Sequence, residues 1–295
     1  MILTIFTPVY NRRELILELY KSLEEQTCKN FTWLVVDDGS IDGTGEVIQN
    51  LIENASFPIK YYYQDNQGKH VAHNVGVAMC ETELFVCVDS DDLLFKDAVE
   101  KILRVNSQHK SDNVLGFYFR KIDNKGKISG DPFKLNQEYV GIRDLYHKLN
   151  FRGELVIVLK TKLIKNFKFP IFENEKFVSE LVFYNEINKL APMVWVDEVI
   201  YEFEYQDSGY TKNSHRLIKE NPSGTAYGYL SETYYAVYIM EKIKAYAEFN
   251  SMCKVFGLNK EKLMEKKINV GIKLLANILS LHYNKLFKKI KLEEG

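Results

Sequence analysis

The chain has 295 residues, 39 of them basic and 40 acidic, giving a formal net charge of -1. That balance supplies no broad attraction to a polyanion, so nucleic-acid binding is excluded as a default. With 46% hydrophobic residues, 13% aromatic residues and only 16 Gly and 6 Pro, the composition excludes a disordered chain and suits one large or two modest packed domains. The cysteines Cys28, Cys80, Cys87 and Cys253 lack metal-ligand spacing and read as reduced thiols. Met1 runs straight into a strand-like segment, so no secretory leader is expected, and apolar stretches such as 274–281 are too short to cross a bilayer. A cytoplasmic protein is expected, with attachment to the inner face of the membrane left open.

The first strand falls at 2–6 and is followed by Thr7-Pro8-Val9-Tyr10-Asn11. Asn11 and Glu14 have capping-box spacing, and Leu15, Leu19 and Leu23 then predict a helix over about 12–26. A second strand at 31–36 ends in Asp37-Asp38-Gly39-Ser40. The helix after it starts near Gly43 or Thr44 and turns Val47, Ile48, Leu51 and Ile52 inward. A third strand at 59–64 and a third helix at 70–79 follow. The fourth strand, at 84–88, is apolar throughout, as a strand buried on both faces must be, and stops abruptly at Asp89-Ser90-Asp91-Asp92.

Strands alternating with helices through residue 105 predict an α/β fold with right-handed crossovers and a mainly parallel, Rossmann-like sheet. Asp37, Asp38, Asp89, Asp91 and Asp92 all lie where strands end, so five acidic side chains are expected to face the crevice in which such sheets bind ligands. A carboxylate cluster at the end of a buried strand requires a divalent cation, hydroxyl donors or water. An acidic loop capping the next helix is the plainer alternative. Rival motifs fail on residue identity: 39–45 lacks the Gly order of a dinucleotide loop, Gly68-Lys69-His70 lacks the upstream Gly of a phosphate loop, and a calcium loop from Asp38 would need Glu where Gln49 stands.

Thr7-Pro8-Val9-Tyr10-Asn11, Val36-Asp37-Asp38-Gly39-Ser40, Asn66-Gln67-Gly68-Lys69, Ala72-His73-Asn74 and Asp89-Ser90-Asp91-Asp92, in that order, resemble the motif series of family 2 glycosyltransferases, which have the GT-A fold. The resemblance implies transfer of a sugar, with inversion, from a nucleotide diphosphate donor, a uridine diphosphate sugar above all. It implies Mn2+ or Mg2+ held by Asp91, with Asp89 near the ribose and metal and Asp92 supporting the site or sharing ligation. Thr7, Pro8, Tyr10, Asp37, Asp38, Lys69, Asp89 and Ser90 form the implied nucleotide-sugar set. Within it, Asp38 accepts from the uracil imide, Pro8 and Tyr10 border the base, and Lys69 neutralises phosphate. His73 stands where the family commonly has Arg, which makes any charge there depend on pH.

An inverting transfer also needs a base for the acceptor hydroxyl. The stretch 175–183 resembles the family segment in which an acidic residue opens a helix, and Glu180 is the match, although Ser179-Glu180 replaces the common Glu-Asp. Strands are expected at 114–122 and 155–159 with a turn at 123–126, and the resemblance puts the acceptor floor in this part of the chain. Trp195, Tyr201, Phe203 and Tyr205 either line a sugar pocket or belong to the core, 206–211 resembles a closing loop of the family, and His215 is a further metal-ligand candidate. The domains read as 1–220 for the transferase, divided into a donor half at 1–105 and an acceptor half at 106–220, with a helical region at 221–295.

In that last region Ile268, Ile272, Leu275, Leu279 and Leu286 recur at helical spacing, and Lys285, Lys288, Lys289 and Lys291 crowd its end. The stripe either packs on its own domain or a second subunit, the ordinary fate of an apolar face, or rests on anionic lipid. The whole reads as a metal-dependent inverting glycosyltransferase acting on a saccharide or lipid-linked acceptor in cell-surface polysaccharide synthesis. A non-catalytic nucleotide or carbohydrate binder and a metal-dependent nucleotidyltransferase are the alternatives.

Overall fold

The computed structural model describes residues 1–110, 113–130, 138–204 and 214–293. The chain divides into two compact units, one of Met1–Phe167 with Ile187–Tyr205 and one of Lys168–Glu186 with Gln206–Gly295.

The first unit is an α/β layer structure. In chain order it contains β1 (Leu3–Val9), α1 (Leu15–Glu24), β2 (Phe31–Asp37), α2 (Thr44–Asn54), β3 (Ile59–Tyr63), α3 (Lys69–Met79), β4 (Leu84–Cys87), β5 (Leu93–Leu94), α4 (Ala98–Gln108), β6 (Gly116–Asp123), β7 (Tyr139–Val140), a helical turn at Asp144–Lys148, β8 (Leu155–Lys160), α5 (Thr161–Ile164) and β9 (Met193–Phe203). The sheet order is β3-β2-β1-β4-β8-β6-β9-β5, with β7 beside β9. Its first four strands are parallel, as the alternating pattern predicts. β8 then enters antiparallel to β4, and β6 antiparallel to β8.

β1 and β2 are almost wholly buried because helices cover both faces of the parallel half. Trp33, Phe31, Ile5, Leu19 and Ile48 form the middle of the core. Two local expectations differ. Ile52 is 38% exposed, so α2 buries a narrower stripe than its apolar spacing suggested. Asn11 does not cap α1, whose start at Glu14 has no side-chain cap. With φ at +50°, a conformation Asn tolerates, Asn11 instead bridges two loops: its N–H donates to Ser40 Oγ at 2.9 Å and its Oδ1 accepts from Ile41 N at 2.9 Å.

The second unit is helical, with α6 (Leu181–Ile187) overlapping its boundary, then α7 (Ser214–Glu220), α8 (Pro222–Tyr235), α9 (Ile239–Phe256), α10 (Lys260–Leu263) and α11 (Val270–Leu292). Ala226, Leu230, Tyr246, Phe249, Met252 and Phe287 make its separate core. The division cuts across the boundary expected at residue 220, because 168–186 is fastened to α8. Glu175 accepts the N–H groups of Ser223 and Gly224, both at 2.8 Å, and Asn185 Nδ2 donates to Ser231 Oγ at 3.1 Å.

The apolar stripe over 268–286 is divided: Ile268 is buried and Ile272 packs against the helical core, as one of its two readings has it. On α11 itself, Ala276, Ser280, Phe287 and Ile290 are the buried residues, while Leu275, Leu279 and Leu286 are exposed. Phe287 and Ile290 fill the end of this face, while the small Ala276 and Ser280 let the backbones of α9 and α11 approach. Ser251 Oγ donates to the carbonyl of Ser280 at 3.1 Å, and Ser280 Oγ donates back to that of Ala247 at 3.3 Å. Among the described residues no helix is long and apolar enough to cross a membrane.

Glu175 supplies acceptors that the first turn of α8 otherwise lacks. Glu175→Ala is expected to lower stability by about 1–2 kcal/mol, read as a fall in urea midpoint at unchanged slope.

Candidate active site

Register places the site. Val9 is level with Asp37, and Phe6 with Cys87, so the chain leaves β1, β2 and β4 along one edge of the sheet. β1 lies between the other two, which sets β2 and β4 about 10 Å apart. The five carboxylates therefore form two groups and not one cluster.

The first group is spent on protein donors. Asp37, buried at the end of β2, accepts from Ser40 N and Tyr61 Oη, both at 2.8 Å. Burial and the Asp37 carboxylate together push the Tyr61 hydroxyl well above its ordinary value. Asp38 is also buried, and its carboxylate accepts from Gln64 Nε2 at 2.7 Å, Gln67 N at 2.9 Å and Gly68 N at 2.7 Å. Three donors take most of the roughly four acceptor positions of a carboxylate, so any contact to a base must share it. Two glycines make this loop pairing possible. Gly39 has φ +84°, and a Cβ there would meet Asn66 N at 2.8 Å; Gly68, at φ +96°, presents its N–H to Asp38.

The second group sits after β4. Asp89 is gripped by Lys69 at the start of α3, whose Nζ lies 2.8 Å from Oδ1 and 3.1 Å from Oδ2. Burial works against ionisation of Asp89, and the Lys69 charge overcomes it, holding the carboxyl below its ordinary range. Asp92 is buried and accepts from Tyr201 Oη at 2.7 Å, while the same hydroxyl accepts from Asp89 N at 3.3 Å. Burial first, and the charge of Asp89 next, push the Asp92 carboxyl up to about 7. Burial and Asp89 also raise Asp91, against a backbone N–H bond within the turn and the charges of Arg12 and Lys69, which act the other way.

Other expected residues fall in different places. Thr7 is fully buried, its hydroxyl accepting from Trp33 Nε1 at 3.0 Å, so its side chain is spent in the core. Pro8 lies level with Val36, and Tyr10, just past β1, is 45% exposed at the sheet edge. Ser90 is buried within the Asp89–Asp92 turn. His73 packs edge-on against Phe6 and Phe85, and burial together with the Lys69 charge pulls its imidazole down to about 3. This imidazole is thus neutral at physiological pH.

Tyr201 is core, as one of its two readings held, but its hydroxyl braces the acidic turn, which no local pattern announces. Phe203 is also core, and Trp195 carries the Arg120 guanidinium over its ring at 5.6 Å. Tyr205 and the loop at 206–211 lie outside the described residues. In the second unit, exposed Glu180 opens α6 and its carbonyl accepts from Phe183 N at 3.0 Å. His215 lies 2.8 Å from Glu293 Oε2 through Nδ1.

Among the described residues no three His, Cys, Asp or Glu side chains form a ready cation cage. Mg2+ and Mn2+ commonly take one or two carboxylates and complete their shell with phosphate oxygens and water. Asp91 fits that mode: burial and the Asp89 charge both raise its carboxyl, and an added cation relieves both.

The family model described as glycosyl transferase family 2 matches residues 4–166, more than half of the chain. The chain belongs to this family. GlyG of Streptococcus pneumoniae serotype 4 is 24% identical over 68% of the chain and 69% of its own length. A Campylobacter jejuni GalNAc(5)-diNAcBac-PP-undecaprenol beta-1,3-glucosyltransferase is 27% identical over 73% of the chain and 70% of its own length. Other relatives are much longer: the chain spans only 20% of an uncharacterized glycosyltransferase of Rickettsia conorii and 28% of pneumococcal GlyA. S. aureus TarS in complex with UDP-GlcNAc superposes with a TM-score of 0.65 over 99% of the chain and 90% of that structure, at 18% identity. The mannosyltransferase PcManGT of Pyrobaculum calidifontis, in complex with GDP-Man and Mn2+, gives 0.54 over 98% and 82%, at 16% identity. The fold is GT-A, with a helical C-terminal region.

Between about pH 4 and 7 the folded chain holds a proton on Asp92 that the unfolded chain has lost, so this group makes stability fall as pH rises through that window. His70, pulled to about 4 by burial, and His73 act in the opposite sense below pH 6.5. The Asp92 part is therefore read by difference. Metal-free Asp92→Asn is expected to gain on the wild type in urea-determined stability from pH 4 to pH 7, and a flat difference would show that the carboxyl is not raised.

Proposed function

We propose that this glycosyltransferase moves a sugar from a uridine diphosphate donor, with inversion, to a saccharide or lipid-linked acceptor during cell-surface polysaccharide synthesis, working in the cytoplasm. The observation that carries this reading is the raised Asp91 carboxyl beside the Asp89–Lys69 pair at the C-terminal edge of the parallel strands. That edge is where open α/β sheets receive nucleotides. Support for the donor and acceptor classes comes from the UDP-GlcNAc complex of TarS and from the undecaprenol-linked substrate named for the Campylobacter relative.

In this reading the loop at 66–68, tied down by Asp38, and the exposed ring of Tyr10 receive the nucleoside. Asp91, with Asp89, would hold Mn2+ or Mg2+, which when bound supplies Lewis-acid stabilisation of the departing diphosphate. Mn2+ in the PcManGT complex supports that choice. Lys69 orients Asp89 and places a positive charge near the phosphates. Asp92, tied to Tyr201, acts as a brace for the turn. His215, already beside Glu293, has no part in this reading.

Glu180 is the proposed base. As the acceptor oxygen bonds to the anomeric carbon, it takes that hydroxyl's proton, the bond from the sugar to the diphosphate breaks, and nucleoside diphosphate leaves. Within 175–183 the alternative, Glu175, has both carboxylate oxygens occupied by the first turn of α8.

Screening nucleotide sugars by thermal shift with and without Mn2+, followed by assay of nucleoside diphosphate release, tests the reading. Asp91→Ala is expected to abolish the metal-dependent part of the shift. Glu180→Gln is expected to leave that shift intact and to cut turnover by at least about a hundredfold, and normal turnover would remove it as the base.

A further inference from the structure

α11 buries one face against its own unit and leaves the other bare. Leu274, Leu275, Ile278, Leu279, Leu281 and Leu286 are between 36% and 71% exposed. At 100° per residue these six cover an arc of roughly 160°, opposite the buried Ala276, Ser280 and Phe287. Single exposed leucines are ordinary, whereas a contiguous apolar helix face marks a surface that something covers.

Charge identifies what covers it. The chain as a whole is nearly neutral, yet α11 contains five lysines and no Asp or Glu. Lys285 and Lys289 rise within the apolar arc, Lys288 borders it, and all three are exposed. Lys291 is turned to the protein, donating to the carbonyl of Val255 at 2.8 Å. The first carboxylate past the helix, Glu293, is also turned to the protein, beside His215.

We propose that this face of α11 lies on an anionic lipid surface, its leucines sunk at the headgroup boundary and its lysines reaching to the phosphates. The helix does not span, since none in the described chain is long and apolar enough. A second copy of the chain fits the face poorly. Parallel pairing brings the lysine-rich ends together, and antiparallel pairing sets them against leucines with no carboxylate to receive them, since α11 has none. An anionic bilayer offers apolar depth and negative charge along the whole helix. The inference is independent of the sugar-transfer chemistry, because binding is read without donor or acceptor.

The full chain is sedimented with vesicles of phosphatidylglycerol and phosphatidylcholine, and with phosphatidylcholine alone. It is expected to partition into the anionic vesicles at least about tenfold better. Ile278→Glu with Leu281→Glu is expected to lower that partitioning by at least about tenfold, and Lys285→Gln with Lys288→Gln and Lys289→Gln by roughly a hundredfold. The substituted positions are exposed, and unchanged melting and circular dichroism establish that each variant is folded. Absence of wild-type sedimentation with anionic vesicles, or folded variants that bind as the wild type does, overturns the proposal. So does a solution dimer that the Ile278 and Leu281 pair dissolves, which would assign the face to a second copy.

Discussion

Three carboxylates within four residues, at the end of a buried strand, are tolerable only where each is answered by a partner or holds its proton more tightly. Asp89 is answered by Lys69 and Asp92 by Tyr201, and the residue between them in the chain, Asp91, keeps a raised carboxyl. The partners come from α3 and β9, so the acidic turn depends on two elements far from it in sequence. Without either, the carboxylates would repel one another or take up protons.

The second acidic pair uses the same chemistry for another end. Asp37 and Asp38 sit two strand spacings from the Asp89–Asp92 turn and hold the loops after β2 and β3 in place through protein N–H and O–H donors. Carboxylates that accept several protein hydrogen bonds are positioning groups first, whatever they later offer a ligand. The edge of the sheet thus has one set of acids that builds the walls and another in which Asp89 is ion-paired and Asp91 and Asp92 keep raised carboxyls.

Much of the fold was legible because it depends on short-range pattern. The first four strands and their helices follow from apolar runs and helical spacing, and the ordered motifs 7–11, 36–40 and 89–92 pointed to the family that the comparison with residues 4–166 establishes. The errors share one cause. Asn11 had capping spacing but spends its backbone N–H on Ser40 and its side-chain oxygen on Ile41, because partners distant in sequence outcompeted local ones. On α11 the spacing of Leu275, Leu279 and Leu286 allowed a packed stripe, yet the buried face carries Ala276, Ser280 and Phe287.

The sequence alone determined where the carboxylates stand along the chain and that each follows a buried strand, since residue order and apolar periodicity are local properties. Only the tertiary structure decided which carboxylates are used up. The parallel register places β1 between the two groups, β9 brings Tyr201 beneath Asp92, and α3 swings Lys69 onto Asp89. Those pairings span 20 residues between Lys69 and Asp89 and 109 between Asp92 and Tyr201. No periodicity reaches across such separations, because long-range contacts are fixed by packing and not by spacing along the chain.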